Sequence, residues 1–226
     1  MLPMSCPDEG TLLRQVFDRQ VERLVAGGWH TALGWAERDL RLYLSMLADS
    51  PTGLLHAVGE TIPERTPFLV VIPHAMLSVA KQMELLVVAK KHGYSSLECD
   101  KLWNPEGIGE SKSPHLICDV DDGAGNVGRT TGEVTGEIKR ACRHGLIMEE
   151  AIALALHSPE SLIHHAFALI DADYQSEPWS GNGIRRQCVP ELWLSSGGPT
   201  QNFSQLDSRR EDRGVPSCRR RLFLDR

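Results

Sequence analysis

Near the middle of the chain, an apolar stretch ends in three carboxylates and then in a run of glycines. Strand ends that open into glycine-rich turns are a common place for ligands in α/β proteins. Carboxylate oxygens are the ligands that a hard cation such as Mg²⁺ prefers, and glycine backbone can lie close to a phosphate. The candidate metal ligands are Asp119, Asp121 and Asp122, and the candidate cofactor-binding residues are Gly123, Gly125 and Gly128.

Asp119 and Asp121 are also candidate catalytic residues. Residues two apart in a strand point to the same side, so both carboxylates would face one substrate. An apolar strand that ends in Asp-x-Asp resembles the first motif of the haloacid-dehalogenase-like phosphohydrolases. This implies that Asp119 attacks phosphorus, Asp121 transfers the proton and Mg²⁺ bridges. The match is incomplete, because Gly123 stands where that superfamily prefers threonine. An Asp-Asp-Gly turn without catalysis is the alternative.

Residues 123–128 match the Gly-x-Gly-x-x-Gly spacing of dinucleotide-binding loops. In those loops the strand passes directly into glycine, whereas here Asp121 and Asp122 would repel a pyrophosphate. The helix that should begin at the third glycine is also delayed by residues 129–132. A flexible glycine-rich loop is therefore the favoured interpretation of this spacing.

The charge of the chain limits its partners. The 226 residues carry a formal net charge of −6, and 41% of them are hydrophobic, which is ordinary for a globular protein. Residues 200–226 hold seven arginines and four acidic residues, a balance of +3, so the remainder carries −9. An acidic body argues against a dedicated nucleic-acid surface. The basic tail leaves a weak nucleic-acid contact open as an alternative.

No export or membrane signal is visible in the sequence. The N-terminal residues lack the basic and apolar regions of a secretory signal, and no apolar run approaches the roughly 20 residues of a spanning helix. Six cysteines are scattered along the chain. We therefore expect a cytoplasmic protein with reduced thiols and no membrane contact.

The elements that must position these residues follow from the apolar pattern. Helical spacing predicts helices at 12–25, 35–48, 133–143, 148–157 and 160–169. Short apolar runs predict strands at 67–72, 83–89, 116–120 and 192–194. The predicted class is α+β: a mixed β-sheet of about four or five strands, with an N-terminal helical hairpin and a helical segment before the last strand.

The same pattern divides the chain into three parts. Residues 1–10 form an N-terminal extension, and residues 11–199 are expected to be a single α+β domain. From residue 200 onward the apolar periodicity is lost, and arginine and serine become frequent. We expect residues 200–226 to be disordered or only loosely docked, and their composition is also consistent with a divergent or aberrant ending.

Several phrases occur in an order that resembles an uncharacterised bacterial family known only as a domain of unknown function. The phrases are FDRQVERL (17–24), PFLVVIP (67–73), LICDVDDG (116–123), HGLIMEEAIAL (144–154) and VPELWLS (189–195). The resemblance covers about residues 12–199 and implies a single cytoplasmic α+β domain. It implies no catalytic residues.

The function that this pattern favours is a non-catalytic intracellular domain that binds a partner protein or a small ligand, because no catalytic motif is complete. The alternatives are a Mg²⁺-dependent phosphohydrolase that uses Asp119 and Asp121, and a weak nucleic-acid contact through the basic tail. The sequence leaves open whether the protein is an enzyme.

Overall fold

The structure is a computed structural model that describes residues 9–49, 65–98, 102–103, 112–174, 188–205 and 209–223. None of the helices in these ranges is long and apolar enough to cross a membrane. The helices are α1 (Glu9–Ala26), α2 (Trp29–Ala32), α3 (Glu37–Asp49), α4 (Val79–Leu85), α5 (Thr131–Arg140), α6 (Met148–His157) and α7 (Pro159–His164).

Most of the strands belong to two sheets. The strands are β1 (Thr66–Val71), β2 (Val87–Val88), β3 (Lys91–His92), β4 (Tyr94–Ser95), β5 (Leu102–Trp103), β6 (His115–Val120), β7 (His144–Gly145), β8 (Ala166–Ala168), β9 (Asp173–Tyr174), β10 (Cys188–Ser195), β11 (Gly198–Gln205), β12 (Arg213–Gly214), β13 (Ser217–Cys218) and β14 (Arg220–Phe223). One sheet has the order β1-β6-β14 and is antiparallel. The other has the order β12-β8-β10-β11-β4 and is mixed. The predicted α+β class is confirmed.

Helix α6 lies between the two sheets and contacts β1 of one and β10 of the other. Nine of its ten residues are buried, which explains why its sequence is apolar on almost every side. The exceptions to that apolar character are His157 at its end and Glu149 and Glu150, which are buried in its first turn. Burial of two adjacent carboxylates requires partners, and those partners define a site described below.

The predicted N-terminal helical hairpin is present as α1 and α3. Leu40, Leu44 and Leu47 face inward from α3, and Arg41 joins the two helices through Glu22. Helix α1 also covers the open edge of β1. The Gln20 side chain donates to the Phe68 carbonyl at 2.9 Å and accepts from the Val70 amide at 2.8 Å, as a neighbouring strand would.

Two predicted elements have different structures. The predicted strand at 83–89 is wrong, because residues 79–85 form α4 and only residues 87–88 form a strand. The Ser78 side chain caps that helix by accepting from the Lys81 amide. The predicted helix at 160–169 ends at His164, and residues 166–168 form β8. In both cases a short apolar run suits either helix or strand, and tertiary pairing decides.

Residues after 199 are not disordered where the structure describes them, which corrects the expectation for this tail. Residues 198–205 form β11, which pairs with β10 along its whole length. The last described strand, β14, pairs with β6 and completes the three-stranded sheet, so residues from the C-terminal segment belong to both main sheets. Two of the arginines that suggested a solvated tail, Arg213 and Arg221, form buried ion pairs instead. The boundaries predicted at residues 11 and 199 stay a prediction.

Candidate functional site

Asp119 lies near the end of β6 and is buried. Its φ of 52° is in the left-handed region, which aspartate tolerates better than most residues. Its Oδ2 accepts a hydrogen bond from Arg143 Nη1 at 2.6 Å and lies 3.2 Å from Arg65 Nη1. Arg143 Nη2 also donates to the Asp119 carbonyl at 2.5 Å. Two guanidinium groups therefore hold the carboxylate that the phosphohydrolase motif would use as nucleophile.

Arg143 links this carboxylate to the C-terminal part of the chain. Its Nε donates to Ser217 Oγ at 2.9 Å, and its Nη2 donates to the Ser217 carbonyl at 3.1 Å. The backbones of Asp121 and Ser217 exchange two further hydrogen bonds, at 2.8 and 2.9 Å. The Asp119 end of β6 thus anchors the segment that leads into β14.

Asp121 and Asp122 turn toward different partners. Each accepts a hydrogen bond at 2.9 Å from the backbone amide two residues later, which is the usual chemistry of an Asp-rich turn. The other oxygen of Asp121 lies 3.4 Å from Arg65 Nε. The other oxygen of Asp122 accepts from Ser161 Oγ at 2.7 Å. Arg65 therefore brings Asp119 and Asp121 together, whereas Asp122 faces α7.

The glycines of this loop pack against the C-terminal segment. Gly123 has a φ of 88°, and a Cβ there would lie 2.8 Å from the backbone of Val215. The Gly128 carbonyl accepts from Arg209 Nε at 2.7 Å. A Cβ at Gly125 would meet open space. Close packing inside the protein accounts for Gly123, and that role needs no phosphate.

The chemistry of this loop is that of a neutralised ion-pair network. Asp119 and Asp121 face Arg65 and Arg143, so two negative charges meet two positive ones. In the part of the chain that the structure describes, no group of three or more His, Cys, Asp or Glu side chains is placed to hold a metal ion. A cation or a phosphate at this loop would have to compete with these contacts.

A second group of polar residues surrounds the first turn of α6. Glu150 is fully buried, and both of its oxygens are occupied. Arg221 donates Nε to Oε1 at 2.6 Å and Nη2 to Oε2 at 2.9 Å, and the Ile147 amide donates to Oε2 at 3.0 Å. His115 Nε2 lies 3.4 Å from Oε1. Burial would raise the pKa of Glu150, but the charge and hydrogen bonds of Arg221 bring it down to about 2.

Glu149 is equally buried but has a different partner. Its Oε1 lies 2.5 Å from His74 Nδ1 and 3.3 Å from the His74 amide. Its Oε2 is buried and has no hydrogen-bond partner among the described residues. The His74 side chain is 43% exposed, so the pair joins a buried carboxylate to the surface. The hydrogen bond that His74 donates to Glu149 raises the pKa of His74 above its ordinary value.

Sequence reasoning missed the partners of both groups. Arg143 and Arg65 lie 24 and 54 residues from Asp119, and nothing in their local sequence distinguishes them from other arginines. The sequence did contain an indication of the second group, because Glu149 and Glu150 lie at the start of a helix that is otherwise almost entirely apolar. Acidic residues are common in the first turn of a helix because they interact favourably with the helix dipole. For this reason the two glutamates did not indicate a buried site.

The comparison with known families matches residues 23–211 to a family of unknown function (DUF5701). The chain belongs to this family. The match confirms the prediction of a family known only as a domain of unknown function, and it extends past residue 199 into the C-terminal segment. No curated protein and no solved structure gives a significant match.

Proposed function

We propose that the protein is a domain that binds a partner protein or a small ligand, and that its Asp119 cluster stabilises the fold without catalysing a reaction. The observation that supports the structural role of the cluster is the position of the Asp119 carboxylate between Arg143 and Arg65. A nucleophilic carboxylate must present a free oxygen to phosphorus. Here the shorter contact, at 2.6 Å, belongs to a guanidinium that is itself buried and fully engaged.

Three of the seven arginines of the C-terminal segment support the same proposal against a nucleic-acid contact. Arg213 is buried and pairs with Glu191 at 2.6 Å. Arg221 pairs with Glu150, and Arg210 pairs with Asp212 at 2.9 Å. Cations already paired with carboxylates release few counterions on binding a phosphate backbone.

A cytoplasmic location is part of this proposal. The cysteines that the structure describes are Cys118, Cys142, Cys188 and Cys218, and all four are free. Burial raises the pKa of Cys118 to about 12, so this thiol stays protonated and unreactive. Free thiols throughout the described residues suit a reducing compartment.

Asp119→Asn and Asp121→Asn test the role of the cluster as a matched pair. We expect Asp119→Asn to lower the free energy of unfolding by about 3 kcal/mol, because it leaves the buried Arg143 without its counter-charge. Asp121→Asn should cost less than about 1 kcal/mol, because that carboxylate is partly exposed. Denaturant unfolding measures both values.

The same variants are assayed with 4-nitrophenyl phosphate and Mg²⁺. We expect no phosphate release by the wild type or by either variant. Turnover by the wild type that both substitutions abolish, while both variants remain folded, would replace this proposal with the phosphohydrolase alternative. The binding role predicts that a metabolite screen finds a ligand that raises the melting temperature by mass action, without being consumed.

A further inference from the structure

His74 and Glu149 form a pair that the proposed binding function does not use. Glu149 is 2% exposed and holds the Nδ1 side of the His74 ring, so Nε2 on the opposite side of the ring points away from the carboxylate. We propose that His74 is a general base whose Nε2 takes a proton from water during hydrolysis of a carboxylic ester, and that Glu149 positions its ring. This role goes beyond the binding function and does not depend on it.

The hydrogen bond with Glu149 selects the tautomer that such a base needs. A proton on Nδ1 can be donated to the carboxylate, which leaves the lone pair on Nε2. A carboxylate that orients an imidazole in this way is the arrangement found in many general-base sites. The second contact, from the His74 amide to the same oxygen at 3.3 Å, fixes the residue at two points.

The unpartnered oxygen of Glu149 is the second observation that supports the proposal. Both oxygens of a buried carboxylate normally accept hydrogen bonds, because an oxygen without a partner costs free energy. Both oxygens of Glu150, in the same helical turn, accept hydrogen bonds, and Arg221 neutralises its charge. Glu149 is therefore the carboxylate whose charge acts on His74.

The reaction balances with water as the only co-reactant. As the water oxygen bonds to the acyl carbon, one water proton moves to Nε2. The bond between the acyl carbon and the alkoxy oxygen then breaks, and the imidazolium returns the proton to the departing alkoxide. The products are a carboxylic acid and an alcohol, and His74 returns to its neutral form.

His92 is a matched control within the same chain. Its side chain is also exposed, and its Nδ1 also has a partner, but that partner is the Glu84 carbonyl at 3.0 Å and not a carboxylate. A general imidazole effect of surface histidines would therefore involve both residues equally. The proposed role involves His74 alone.

The experiment measures hydrolysis of 4-nitrophenyl acetate by the full chain at neutral pH. We expect His74→Gln to lower the second-order rate constant at least tenfold and His92→Gln to change it less than twofold. The wild-type rate should also fall in D₂O, because a proton moves in the rate-limiting step. Circular dichroism verifies that both variants fold, which is expected because both side chains are exposed.

Glu149→Gln tests the positioning role through the pH profile. Loss of the carboxylate should move the midpoint of the rate–pH curve to lower pH and reduce the plateau rate severalfold. A merely structural role of Glu149 would leave the midpoint in place. Equal losses in His74→Gln and His92→Gln, or no effect of D₂O, or an unchanged midpoint in Glu149→Gln, would each overturn the proposal.

Discussion

Glu149 and Glu150 are neighbours in the first turn of α6, and both are buried, but their surroundings differ. Glu150 receives four contacts and is paired with a buried arginine from the last described strand. Glu149 contacts one half-exposed histidine and keeps one oxygen without a described partner. The difference shows that burial alone does not reveal what a charged residue does. The carboxylate of Glu150 joins parts of the chain that are distant in sequence, whereas that of Glu149 contacts a titratable group at the surface.

Substitution of Arg221 should have the largest effect on the free energy of unfolding. Arg221→Ala leaves Glu150 as a buried charge without its counter-ion, and we expect a loss of about 3–5 kcal/mol in the free energy of unfolding. Denaturant unfolding measures the loss, with the exposed neighbour Arg220 changed to Ala as the control. A loss below about 1 kcal/mol would mean that water reaches Glu150, and the contrast with Glu149 would disappear.

Substituting each glutamate by glutamine sharpens the contrast. At neutral pH we expect Glu150→Gln to cost about 3 kcal/mol, from the difference between its pKa of about 2 and the ordinary 4.5. Because the folded pKa is lowered, this stabilisation is present above pH 4.5 and is lost as the pH falls toward 2. Glu149→Gln should change stability by less than about 1 kcal/mol, since it removes an unsatisfied charge. Urea unfolding of both variants between pH 2 and 7 checks the two curves.

Substitution of His74 should have the smallest effect on stability. Its effect should fall with rising pH, whereas that of Glu150 should grow with rising pH. The pKa of His74 is raised in the folded state, so its stabilising contact is present below the ordinary value of 6.5 and is lost as the pH rises through the folded value. We expect His74→Ala to cost less than about 1 kcal/mol at pH 6, and still less at pH 9, where only the hydrogen bond from the neutral ring to Glu149 remains. Melting temperatures of the wild type and the variant across this range measure the difference. A difference that grows with pH would contradict the assignment.

Much of the fold was predictable because its helices and its inner strands have clear periods. Residues 148–157 form the predicted helix, and the runs at 67–72 and 116–120 form the paired strands β1 and β6. The strand at 192–194 was also predicted, but it lies in the second sheet. Sequence patterns find strands but do not say which sheet receives them, since that depends on contacts between distant residues.

The site was harder to predict, because the deciding partners are far away in sequence. The Asp119 motif is local and visible, but Arg143 and Arg65 determine what it does. The C-terminal segment was misjudged for the same reason. Its arginines look solvated in a sequence without apolar periodicity, and only the buried partners Glu150 and Glu191 show that Arg221 and Arg213 lie inside the protein.

Gln20 gives α1 a second role besides covering apolar surface. Its amide occupies hydrogen-bonding positions of β1 that would otherwise be open to any extended chain. If α1 detached while the rest stayed folded, these positions would become a template on which a second molecule could add a strand. Loss of this one helix would therefore endanger the protein through self-association as well as through reduced stability.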